Sequence, residues 1–152
     1  MKIGIIVSNF HREITQALLD TALATFEKEG ITKQAIEVIR VPGAFEIPHV
    51  AMRGAQEQRW DIILCFGCVV RGETQHFDYV CNEVARGLMD VSTTTRVPAL
   101  FEVLTTENMQ QARVRAGLEP ASNYGEKPII NKGHAGALAA LDMLALLKEW
   151  TK

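Results

Sequence analysis

Cysteine is scarce in this chain of 152 residues. There are three (Cys65, Cys68 and Cys81), a small odd number that suggests no disulfide framework and fits a reduced, cytoplasmic protein. No apolar run approaches the ~20 residues that a membrane helix needs. The opening stretch, Met1 to Ser8, carries a single lysine and too brief an apolar segment for a signal peptide, and no cleavage pattern follows it. A charge excess of either sign is also missing: the formal net charge is −2, the pI is near 6.1, and no basic stripe marks a nucleic-acid surface. Internal repeats and low-complexity segments are absent. What is present is 47% hydrophobic residues, enough to bury a core, at a length suited to one domain over 1–152.

Apolar patterning orders the chain. Lys2–Val7 and Ile36–Val41 read as strands, the second stopped by Pro42-Gly43. Ile62–Val70 is apolar on both faces, as a central strand of a parallel sheet must be, and Ala99–Leu104 is the fourth strand. Between them, Arg12–Glu29 places Ile14, Leu18, Leu19, Ala22 and Phe26 at helical spacing, with Gly30 to end the helix. Further helices are predicted from about Pro48 to Gln58, over Gln75–Val91, over Asn108–Ala116 with Thr105 or Thr106 as its N-cap, and over Gly133–Trp150. Leu118–Ile130 reads as a surface excursion. The β-α-β-α-β-α-β-α-α order predicts an α/β fold: a doubly wound, three-layer αβα sandwich on a four-stranded parallel sheet. Ligands of such folds bind beyond the carboxyl ends of the strands.

The first strand-end loop, Ser8–His11, offers an aromatic ring, Phe10, that can stack on a planar heterocycle or pack on its own helix. It has neither the glycines and hydroxyls of a flavodoxin-type electron carrier nor the acids of a signalling receiver domain. In the second loop, Gly43 permits a tight turn, and the N–H groups of Ala44, Phe45 and Glu46 open a helix. These groups and the Glu46 carboxylate suit hydroxyls or ring imides, or else mark an ordinary helix start. The third loop follows the central strand. There the N–H groups of Glu73, Thr74 and Gln75 and the Thr74 hydroxyl make an anion cradle after Gly72. His76 sits in the first turn of the next helix. It can serve as a proton shuttle or as a local cap.

Cys65-Phe66-Gly67-Cys68 has the C-x-x-C spacing, but residues three apart on a strand point to opposite faces, so buried structural thiols are expected. His49 and His134 join no carboxylate cluster, and no metal is expected. Arg113 and Arg115 on the short helix, and Lys132 before the last one, can each bind an anion or simply be solvated.

Taken together and in order, these segments resemble the lumazine synthase family over nearly the whole chain. Val41-Pro42-Gly43-Ala44-Phe45-Glu46-Ile47-Pro48 is similar to its second-loop motif. Gly67-Cys68-Val69-Val70-Arg71-Gly72-Glu73-Thr74, followed by His76-Phe77-Asp78-Tyr79-Val80, is similar to its most specific motif. Phe101 with Val103-Leu104-Thr105-Thr106-Glu107-Asn108, then Gln111-Ala112, Arg115-Ala116-Gly117 and Asn131-Lys132-Gly133, complete the set. The resemblance implies a flavodoxin-like fold and a cofactor-free condensation in riboflavin biosynthesis. In it, 5-amino-6-(D-ribitylamino)uracil and 3,4-dihydroxy-2-butanone 4-phosphate give 6,7-dimethyl-8-ribityllumazine, phosphate and water. It implies that Phe10 stacks on the pyrimidine, that Ala44, Phe45 and Glu46 hold the ribityl chain, and that Cys68, Val69 and Val70 line the ring site. Gly72, Glu73, Thr74 and Gln75 would cradle phosphate and His76 would move protons. Phe101, Arg115 and Lys132 would arrive from a neighbouring subunit, Arg115 on phosphate. The implied assembly is a homo-pentamer or a stacked decamer, with no nucleic-acid or membrane partner. The alternative is a non-catalytic flavin or lumazine binder on the same scaffold, which could dispense with His76 or Arg115.

The chain departs from the family pattern at several places. His11 stands where Asn is usual beside the aromatic. Glu102 stands where Gly is common after the strand phenylalanine, so its side chain is expected to face away or lie near the subunit boundary. Ala135 stands where a carboxylate often follows the Lys-Gly pair. A long Leu118–Ile130 stretch, and a first strand that opens at Lys2 with no extension before it, favour the isolated pentamer or decamer over a closed shell of many pentamers.

Overall fold

The computed structural model describes residues 1–120 and 131–150. The elements run β1 (Ile3–Ser8), α1 (Arg12–Lys28), β2 (Ile36–Val41), α2 (Ile47–Gln56), β3 (Ile62–Val70), α3 (His76–Thr94), β4 (Ala99–Thr106), α4 (Met109–Arg115) and α5 (Lys132–Trp150). Short 3₁₀ turns at Lys33–Ala35 and Ala44–Glu46 precede β2 and α2. All strand pairs are parallel, in the order β2-β1-β3-β4. Ile3 pairs with Ile36 and Ile62, and Val70 with Thr106. This is the expected α/β sandwich.

Strand alternation sends successive residues to two cores. Ile3, Ile5, Val7, Leu64, Phe66 and Cys68 pack with α1 and α5, whereas Ile6, Ile63 and Cys65 pack with α2 and α3. The two cysteines of the C-x-x-C spacing thus lie on opposite faces of one strand. At the amino ends of the strands, Trp60 fills the space above Gly4 and Gly54, where any Cβ would collide with the indole.

Helix ends follow local chemistry. Gly30, at φ +80, closes α1: its N–H donates to Glu27 O at 3.1 Å and the Ile31 N–H to Phe26 O at 2.9 Å, a Schellman motif. The N-cap of α4 is a correction. Neither Thr105 nor Thr106 caps it, because β4 continues through Thr106; Asn108, extended at φ −152, accepts instead from the Gln111 N–H at 2.9 Å. The part of the Leu118–Ile130 stretch beyond Pro120 lies outside the described residues. Among the described residues no helix is long and apolar enough to cross a membrane.

Candidate active site

In the order β2-β1-β3-β4, the connections from β1 and β3 depart to opposite sides. The crevice between their carboxyl ends is the topological switch point. A cavity of about 570 Å³ opens there. Phe10, Ala44, Phe45, Glu46, Cys68, Val69, Val70, Gly72, Thr74 and His76 line it.

Each loop is held by its own backbone bonding. Past the end of β1, the Asn9 N–H donates to Val41 O at 2.8 Å and the Phe10 N–H to Pro42 O at 3.1 Å, which carries the strand pairing into the loop. Phe10 is thereby left 65% exposed at the cavity and does not pack into the core. Its ring meets His11 edge-on, with centroids 4.7 Å apart and planes at 72°. His11 has left-handed backbone angles, φ 52 and ψ 50. It also lines the cavity, and burial lowers its imidazole pKa below the ordinary value.

After β2, the Gly43 N–H donates to Glu46 Oε2 at 2.8 Å, so the carboxylate folds back across its own turn at the cavity wall. Beneath the opening, Cys68 is buried, which pushes its thiol up to about 12; burial raises Cys65 as well. Neither is poised as a thiolate nucleophile. Among the described residues no group of three His, Cys, Asp or Glu is placed to hold a metal ion.

After β3, the Thr74 hydroxyl accepts from the His76 N–H at 3.4 Å. The N–H groups of Gly72, Glu73, Thr74 and Gln75 reach no acceptor among the described residues. They lie at the amino end of the nineteen-residue α3, where the helix dipole favours an anion. Glu73 and Gln75 belong to this loop without lining the cavity. His76 is exposed at its rim.

The sequence reading gave Arg71 no part. In the structure it organises the loop. Its guanidinium bonds Asp78 through two contacts of 3.1 and 3.0 Å and Glu107 at 2.8 Å, and it lies 4.1 Å from the Phe77 ring centroid. Its N–H donates to Thr106 O at 2.9 Å. An arginine directly after a strand, with an acid seven residues on, was the available signal. Phe77, Tyr79 and Val80 are further cavity-lining residues that reading had not assigned.

Three expected site residues stand apart from the cavity. Phe101 is 39% exposed on the edge strand β4. Arg115 ends α4, its Nη1 donating to Gln111 O at 3.1 Å. Lys132 begins α5, exposed.

Fold and site together define a doubly wound α/β protein with a small-molecule cavity at its switch point, bounded by an aromatic ring, a carboxylate, open backbone amides and an imidazole. The family model described as 6,7-dimethyl-8-ribityllumazine synthase matches residues 1–148, and the chain belongs to that family. Its activity is that of a transferase of riboflavin biosynthesis: condensation of 5-amino-6-(D-ribitylamino)uracil with 3,4-dihydroxy-2-butanone 4-phosphate.

Proposed function

We propose that this condensation takes place in the switch-point cavity, with the roles that the family resemblance assigns. One observation carries the reading: a single cavity gathers Phe10, Glu46, the third loop with its open amides, and His76. Phe10 provides a plate for the pyrimidine. Ala44, Phe45 and Glu46 face the ribityl hydroxyls, with Cys68, Val69 and Val70 beneath the ring. Gly72, Glu73, Thr74 and Gln75 receive the phosphate.

The reaction suits these parts. The pyrimidine 5-amino nitrogen bonds to the ketone carbon and a water leaves. A proton then leaves the hydroxyl-bearing carbon and the phosphate departs with the electrons of its carbon–oxygen bond, leaving an enol, while backbone N–H groups stabilise the charge the phosphate takes away. The enol takes up a proton to become a methyl ketone, and the second nitrogen closes the ring on this new carbonyl carbon, releasing another water. His76, at the rim, carries protons between these steps. Both reactants are reactive in themselves, so holding them in register supplies much of the acceleration, on the order of several kcal/mol.

Phe101, Arg115 and Lys132 enter a neighbour's cavity in this reading, because β4 and the helices after it lie away from their own. The working unit is a pentamer, alone or as a stacked decamer, and the whole of 1–152 acts as one domain. The protein works in the cytoplasm, in keeping with its few unpaired thiols. The test is to mix the purified protein with both substrates and follow lumazine fluorescence while sedimentation reports the particle. Product well above the uncatalysed background from a pentamer or decamer is expected. Background rates, or an active monomer, would overturn the corresponding part.

A further inference from the structure

Nothing in the chemistry above uses Glu102, and its setting is unusual. It lies in the interior of the edge strand β4, opposite Phe66 of β3, on the sheet face covered by α1 and α5. Among the described residues no hydrogen bond or ion pair reaches its carboxylate. A half-buried carboxylate without hydrogen bonds is costly, and such groups persist where they act on another charge.

The neighbouring helix is shaped around it. A Cβ on Gly136 would come within 2.7 Å of Glu102 Cγ and 3.1 Å of Cδ, so the side chain lies directly on the bare backbone of α5. Lys132 is four residues before Gly136, hence one turn away on the same helical face. The first turn of α5 carries no acid of its own. Leu64 is the other side chain in this contact, and the β3 pairing partner is Phe66; neither has a charge.

We infer that Glu102 is a positioning residue for Lys132: its carboxylate, lodged in the gap left by Gly136 one helical turn from the lysine, biases the ammonium group toward the subunit boundary through space, without a direct ion pair. The inference rests on the proposed site reading for the part Lys132 plays. Burial raises the Glu102 pKa, and the charge of Lys132 opposes that rise.

Two measurements on the full chain test this. Carbon-13 carboxyl titration of Glu102 is compared between the wild type and Lys132→Met, which alters an exposed residue and leaves the core intact. The midpoint is expected to shift upward when the lysine is lost; an unmoved midpoint overturns the inference. Independently, kcat and KM for both substrates are measured for Glu102→Gln, Lys132→Met and the double variant. Glu102→Gln is expected to lower kcat/KM about fivefold, Glu102→Asp to recover part of the loss, and the Gln substitution to cost nothing further once Lys132 is Met. A Glu102→Gln loss that persists undiminished in the Lys132→Met background means a purely structural role and overturns the inference. A wild-type protein that makes no lumazine defeats the functional reading instead, and the titration still decides the pair.

Discussion

Arg71 and Asp78 face each other fork to fork, with Nη1–Oδ2 at 3.1 Å and Nη2–Oδ1 at 3.0 Å across the loop that leads into α3. With Glu107 on the third nitrogen, each guanidinium nitrogen bonds a carboxylate and the charge is matched by two acids, so the side chain braces the amide cradle and does not serve as the anion ligand. Arg71→Lys, which lacks the planar fork, should raise KM for the phosphate-bearing substrate about tenfold and leave that for the pyrimidine near its starting value. Thermal midpoints should move little, because both side chains lie exposed at the surface, where ion pairs contribute little to stability. Steady-state kinetics with each substrate varied in turn checks the split.

The same pair sets an acid limit. Hydrogen bonds from Arg71 hold the Asp78 carboxyl below its ordinary value of 3.8. A depressed folded-state pKa gives an increment that is complete above the unfolded value and is lost as pH falls through the folded one. The loop should therefore keep its order down to about pH 4 and loosen only below it. Amide exchange of residues 72–76 against pH reads this directly, and Asp78→Asn should remove the dependence.

His76→Ala should reduce kcat by roughly 10²–10⁴, the usual worth of a positioned acid–base group, while binding of the ribityl pyrimidine alone stays close to wild type. Isothermal titration beside lumazine fluorescence separates the two effects. A mutant that loses both equally would make His76 a binding residue.

His11 combines left-handed backbone with a lowered pKa, and the two can be separated by substitution. Its folded-state pKa lies below the unfolded one, so the unfolded chain takes up more protons as pH falls through the window at and below the ordinary 6.5. Stability should decline through that window and be flat above it. His11→Asn, which tolerates φ near 52, should keep the fold and remove this slope. His11→Val should cost about 1 kcal/mol or more through its branched Cβ. Urea denaturation across pH 5 to 8, roughly the range in which imidazoles titrate, distinguishes these outcomes.

At the far end of the sheet, Gly54→Ala should destabilise by about 1–3 kcal/mol, since the new methyl group enters the Trp60 ring. Trp60→Phe in the same background should return part of the loss. Denaturant unfolding of the single and double variants measures both.

The strands were readable because burial on both faces leaves β1 and β3 almost wholly apolar, and alternation alone placed Cys65 and Cys68 in different cores. The cavity residues from Phe10 to His76 were readable because parallel topology fixes where strand ends meet. Other features depended on tertiary contacts. Thr105 and Thr106 have the chemistry of a cap, yet pairing with β3 keeps Thr106 in the strand and passes the capping role to Asn108. The grip of Arg71 joins α3 to the end of β4, two elements whose approach no local pattern encodes. The contact of Glu102 with Gly136 likewise exists only once α5 has docked on the sheet.

Trp60 is 3% exposed at the amino ends of the strands, whereas the cavity opens at their carboxyl ends, roughly 25 Å away along β3. The protein therefore carries an intrinsic optical reporter of folding that is distant from its chemistry. The other indole, Trp150, is 73% exposed and contributes a water-like background that changes little on unfolding. Loss of the blue-shifted indole emission would report melting of the scaffold, and green lumazine emission would report turnover, so a single cuvette can tell an inactive variant from an unfolded one.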